Sequence, residues 1–180
     1  MKLVVCRIAM LFVAGLLCAS ATSVAREAGA QEAITGIVSG EKIQKVGFRA
    51  MIQKQAIMYN LAGFAHNNPD GTVGLELQGD EALIAKTLEA VSAGNKNSSH
   101  ANIIGEAQAP FDPNLKTFTI YGWTSTSRNI SNPYDLVFNL RPDDNEISGK
   151  EAAAVWDSIA ESTLKGEDLA KFMKHLGDEE

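Results

Sequence analysis

The sequence predicts an α+β fold in which two helices cover one face of an antiparallel sheet. Three observations carry that prediction. Thr72 to Leu77 alternates Val73, Leu75 and Leu77 on one face, the period of a half-buried strand, and follows the turn-forming Asn68-Pro69-Asp70-Gly71. Phe48, Ile52, Ala56 and Tyr59 recur at spacings of four, four and three, one face of a helix. The elements then follow one another as strand, helix, strand, strand, helix, strand, strand, which is a split β-α-β order.

Each element has a local reason. Ala33 to Ser39 carries Ile34, Ile37 and Val38 and reads as the first strand. Gly40 to Lys45 is a polar turn, and the first helix is expected to end at Asn60, a residue that tolerates the left-handed conformation. Gly63 to Asn67 reads as the second strand, and with the third it forms a hairpin. Asp80 is a natural N-cap for a helix with Leu83, Ile84, Thr87, Leu88 and Val91 on its inward face. Ala101 to Glu106 is a weaker strand and Thr117 to Trp123 a stronger one. The order is that of ferredoxin-like βαββαβ folds. Residues 125–180 form an extension of different character. Tyr134 to Leu140 reads as a short strand, Ser148 and Glu151 fit a capping box, and Ala152, Val155, Trp156 and Ile159 mark an amphipathic helix. Gly166 breaks it, and Leu169, Phe172, Met173 and Leu176 mark a second. These helices are amphipathic without being basic, so they are expected to pack on the domain or on a protein partner.

The start of the chain reads differently. Lys2 and Arg7 precede an apolar run from Ile8 to Leu17, and small residues follow to Ala25. That is the pattern of a secretory signal peptide over residues 1–25, too short to remain as a membrane anchor. Cleavage is expected after Ala25 or Ala30, with 26–32 as a flexible lead and the product periplasmic or secreted. Removing residues 1–25 takes away two basic residues and no acid, so the net charge of −6 becomes −8. An acidic protein of this kind is a poor nucleic-acid binder. Cys6 and Cys18 go with the leader, and they are the only two cysteines. A Cys nucleophile, a Cys zinc site and a disulfide scaffold are thereby excluded from the exported chain. His66, His100 and His175 are scattered and form no metal-ligand pattern, so no metal and no cofactor are expected.

Two segments carry the chemistry. Gln44-Lys45-Val46-Gly47-Phe48-Arg49 opens the first helix, where unpaired N–H groups at the positive end of the helix dipole make an anion cradle. An arginine there adds a fork matched to phosphate. The other segment is Gly63-Phe64-Ala65-His66-Asn67, leading into Gly71, Val73 and Gly79. Asn67 offers both a donor and an acceptor. Read alone, either segment is also satisfied by a plain structural turn.

Taken together and in this order, the two segments resemble the two signatures of the acylphosphatase family, a resemblance covering roughly residues 33–124. The family's loop ends Gln-Gly-Val-Gly-Phe-Arg, and Phe118-Thr119-Ile120-Tyr121 is similar to its last strand. The resemblance implies metal-independent hydrolysis of the carboxyl–phosphate bond of small-molecule acyl phosphates. Carried over by motif position, Arg49 and the backbone N–H groups of Gln44, Lys45, Val46, Gly47, Phe48 and Arg49 hold the phosphoryl group, and Asn67 orients the attacking water. Two departures stand out. Lys45 occupies a glycine position that serves a positive φ or a close backbone approach. One extra residue lies between Gly40 and Gln44, and the strand-to-loop join must bulge to absorb it. These departures leave an alternative, a catalytically weak acylphosphatase-like module that binds an anion or a protein.

Overall fold

The computed structural model describes residues 29–98, 101–124, 133–167 and 169–170. Its elements are β1 (Gln31–Ser39), α1 (Phe48–Tyr59), β2 (Ala62–Asn67), β3 (Val73–Asp80), α2 (Glu81–Ala93), β4 (Asn102–Gln108), β5 (Thr117–Trp123), β6 (Tyr134–Asn139) and α3 (Gly149–Thr163). The leader falls outside the described residues, as does most of the second C-terminal helix. β1 begins two residues earlier than the sequence pattern suggests, so Gln31 and Glu32 belong to the strand, paired with Asp80 and Gly79, and not to a flexible lead.

The local signals act as their chemistry dictates. Asp80 accepts from the N–H groups of Ala82 and Leu83 and starts α2. Ser148 and Glu151 close a capping box at α3. Asn60 takes a φ of 57° and ends α1. The core lies between the sheet and one layer of helices, with Val38, Ile52, Ala56, Ile57, Leu77, Phe118 and Ile120 fully buried. α1 packs between α2 and α3, and α3 also covers β6. The first C-terminal helix therefore seats on the domain itself, as a third member of the helical layer.

The six-stranded sheet has the order β4-β1-β3-β2-β5-β6. The ferredoxin-like arrangement holds, with one departure from the expected antiparallel sheet: β5 pairs parallel to β2, Gly63 opposite Phe118 and Ala65 opposite Ile120. The reason is the connection 109–116. β1, β3 and β2 lie between β4 and β5, so the chain must cross the end of the sheet and start β5 there. Gln78 pins this crossing, donating to the Asp112 carbonyl at 2.6 Å and accepting from the Asp112 N–H at 2.7 Å. As a result β1, β2 and β5 run the same way. Their C-terminal ends gather at one end of the sheet, and α1 begins at that same end. An antiparallel β5 would have carried its last residues to the opposite end.

Candidate active site

The loop 40–47 joins β1 to α1. Ile43 is buried and divides the loop into two bends. Gln44 Nε2 donates to the carbonyls of Asn68 (2.9 Å) and Thr72 (2.7 Å), tying the loop to the hairpin turn that follows Asn67. Asn95 Nδ2 supports the loop from the α2 side, donating to the Val46 carbonyl at 3.0 Å. Lys45 (φ 63°) and Gly47 (φ 72°) are both left-handed, and this curls the backbone around Val46 into a concavity. The glycine position of the motif thus does demand a positive φ, and Lys45 meets it. Gly47 gives α1 no side-chain cap. Among the described residues, the N–H groups of 45–50 find no acceptor.

Arg49 stands in the first turn of α1 and is only 7% exposed. Its Nη1 donates to the carbonyls of Tyr121 (2.5 Å) and Gly122 (3.2 Å), and its guanidinium lies 5.5 Å from the Trp123 ring centroid. Among the described residues no carboxylate pairs with it, and its Nε and Nη2 donate to nothing. Burial without an acid pushes its pKa down from the ordinary arginine value to about 10. The group remains a cation at neutral pH, with one edge held and one edge free. Gln53, one turn further along α1, donates to the carbonyls of Phe118 (3.2 Å) and Leu136 (2.8 Å) and so fixes the helix over β5 and β6.

A bulge in β5 makes the seat for Arg49. Ile120 pairs with Leu136 and Trp123 with Tyr134, so Tyr121 and Gly122 face the single residue Asp135. Gly122 takes a φ of 59° and its N–H donates to the Asp135 carboxylate at 2.9 Å. Strict alternation from Phe118 and Ile120 would send Trp123 to the open face of the sheet. The bulge returns it to the helical side, 6% exposed and beneath Arg49.

Asn67 ends β2, opposite Val73. The β2–β5 pairing runs as far as Ala65 and Ile120, so Asn67 lies at the same end of the sheet as Tyr121 and Gly122, whose carbonyls hold Arg49. The Oδ1 of Asn67 is buried and accepts no hydrogen bond among the described residues. An unsatisfied buried acceptor is costly unless a ligand or water completes it. His66 points the other way: the Cβ that Gly74 lacks would meet its imidazole at 2.4 Å, which places the ring on the open face of the sheet.

The tertiary structure therefore gathers the residues singled out from the sequence at one end of the sheet. Lys45 and Gly47 are exposed on the rim, Val46 is half-buried, Phe48 is buried in the core, and Gln44 is a tie between two loops. Sequence reasoning missed Asn95, the Tyr121 and Gly122 carbonyls, and the place of Trp123. Asn95 sits in a polar loop that carries no local signal, and a bulge is set by pairing, not by composition. Among the described residues no group of three His, Cys, Asp or Glu side chains could hold a metal ion.

Comparison with known proteins places the chain among relatives of one kind. The acylphosphatase family model matches residues 34–120. The acylphosphatase of Geobacillus thermodenitrificans is 38% identical over 87 residues, 48% of this chain and 90% of that protein. The acylphosphatase of Geobacillus kaustophilus is 43% identical over 58 residues, which is 32% of this chain and 61% of that protein. Among solved structures, the acylphosphatase of Bacillus subtilis is 29% identical, covering 49% of this chain and 96% of that one, with a TM-score of 0.45.

Proposed function

The chain belongs to the acylphosphatase family, and we propose that it is an exported acylphosphatase, hydrolysing acyl phosphates to a carboxylate and inorganic phosphate. One observation carries the reading: a buried guanidinium with no acidic partner among the described residues lies beside a row of backbone N–H groups that find no acceptor there either. A phosphoryl group supplies the negative charge and the acceptor oxygens that both lack.

The proposed reaction follows from that arrangement. The phosphoryl oxygens take hydrogen bonds from the N–H groups of the 44–49 loop and from the free edge of Arg49. Asn67 Oδ1 accepts a hydrogen bond from water and holds its oxygen towards phosphorus. A P–O bond forms to water while the bond from phosphorus to the carboxyl oxygen breaks. The electron pair leaves with the carboxylate, and both protons of the attacking water remain with the phosphate as dihydrogen phosphate. A carboxylate is a weakly basic leaving group and needs little protonation, so positioning and charge stabilisation do most of the catalysis. The loop keeps its left-handed turn with Lys45 in it, which favours an active site over a weakened binding module. The basic, apolar and small-residue run of residues 1–25 supports export.

The test is turnover of an aromatic acyl phosphate by the purified protein beside Arg49→Ala and Asn67→Ala. Loss of a transition-state contact should lower kcat/KM by about two orders of magnitude or more in each variant. Equal rates in all three proteins would end the enzyme reading. Export is checked separately, by recovering the protein outside the cytoplasm with a new N-terminus after Ala25 or Ala30.

A further inference from the structure

The family match ends at residue 120, and the groups that hold Arg49 begin at residue 121. We propose that the segment beyond the match positions the phosphate-binding arginine, with Trp156 of α3 as the positioning residue acting through Trp123. The inference rests on the reading of Arg49 as the phosphate-binding cation.

The contacts form a short stack. The Arg49 guanidinium lies 5.5 Å from the Trp123 ring centroid. Trp156 meets Trp123 edge to face, with centroids 5.7 Å apart and planes at 76°. The ammonium of Lys54 lies 4.8 Å from the centroid of the Trp156 ring. Trp156 is buried, and Ala152 and Ala160, one turn to either side, are fully buried where α3 meets the layer. Such small residues let α3 approach closely enough for its tryptophan to reach Trp123. Arginine has many side-chain rotamers, and fixing one of them before the ligand arrives removes an entropy cost from binding. The carbonyls of Tyr121 and Gly122 hold one edge of the guanidinium, Trp123 lies against it, and Trp156 backs Trp123.

This role is distinct from that of α3 as a cover for the core, and a double-mutant comparison separates the two. The full chain is prepared with Trp156→Leu, which keeps an apolar side chain, and Trp156→Phe, which keeps a ring. Each is also placed in an Arg49→Lys background. Inhibition by inorganic phosphate, kcat and KM are measured at a temperature where circular dichroism shows every variant folded. Trp156→Leu should weaken phosphate inhibition about fivefold and lower kcat by a similar factor, and Trp156→Phe should recover most of both. In the Arg49→Lys background the Trp156→Leu effect should shrink to less than about twofold, because lysine has no planar group to stack. The chain carries two tryptophans, so Trp156→Phe leaves Trp123 as the sole indole, and its emission should change on adding phosphate. Equal losses in the arginine and lysine backgrounds, or no loss in a folded Trp156→Leu protein, overturn the inference. If instead Arg49→Ala binds phosphate as wild type does, the functional reading itself fails, and that result is distinguishable from either of these.

Discussion

The two ends of α1 are built in opposite ways. At the C-terminal end nearly every group has a partner. Asn60 turns left-handed, its Nδ2 donates to the carbonyls of Arg141 and Asp143 and to the Asp144 carboxylate, and its Oδ1 accepts from the Arg141 N–H. The carbonyls of Ile57 and Met58 accept from the Arg141 guanidinium and the Ile147 N–H. At the N-terminal end Gly47 provides no side-chain cap, and among the described residues six successive N–H groups from 45 to 50 find no acceptor and a buried arginine has no acid. A helix leaves unpaired groups at both ends. Here the loop between β6 and α3 satisfies one end, and the other is left open, as an anion site requires.

The largest effect expected from breaking this contrast is on the closed end. Asn60→Ala removes the side-chain bonds and puts alanine at a φ of 57°, and it should cost about 2–4 kcal/mol in urea unfolding. Phosphate affinity of the folded fraction should stay within about twofold, because the loss lies at the far end of the helix. A parallel loss of affinity would show that the two ends are coupled.

Next is the response of the open end to pH. Burial penalises the charged form of Arg49, so the penalty on stability is present below its folded pKa of about 10 and is released as pH rises from there towards the ordinary arginine pKa. Anion binding follows the charge in the opposite sense. Phosphate affinity should hold up to about pH 9 and then fall by roughly tenfold per pH unit above 10. Affinity unchanged from pH 9 to pH 11 in a folded protein would mean that burial does not bring the Arg49 pKa down into that range.

Two smaller changes sharpen the picture of the loop. Gly47→Ala meets no atom within 4 Å, so its cost is the left-handed backbone alone, about 1 kcal/mol by thermal unfolding. Lys45→Gly should do the reverse and stabilise the protein by roughly 0.5–1 kcal/mol, since lysine now holds a φ of 63°. A destabilised Lys45→Gly protein would show that the lysine side chain contributes more to the loop than its backbone strain costs.

Each end of α1 was legible in the sequence only in part. The left-handed turn at Asn60, the Asp80 cap and the Ser148–Glu151 box act within a few residues of themselves and read directly from the chain, whereas the bonds that close Asn60 reach residues 141 to 144. Gln44, Arg49 and Asn67 were legible as motif residues, but what fastens them was not. Gln44 reaches residues 68 and 72, and Arg49 reaches residues 121 and 122. Thr117 to Trp123 read as a strand, but neither its parallel pairing with β2 nor its bulge did, because a local pattern reports a strand and not the identity of its neighbour.

The sequence by itself determined the elements, their caps, the two motifs and the demand for a left-handed residue in the first loop, since these depend on side chains and backbone groups close along the chain. Tertiary structure decided the parallel pairing of β5 with β2, which brings three strand ends and the start of α1 together. It also decided the bulge that turns Trp123 under Arg49 and the seating of α3 behind that tryptophan. These arrangements join residues far apart along the chain, Arg49 to Tyr121 and Trp123 to Trp156. Contacts at that distance are settled by which faces must be buried together, and only the folded chain settles it.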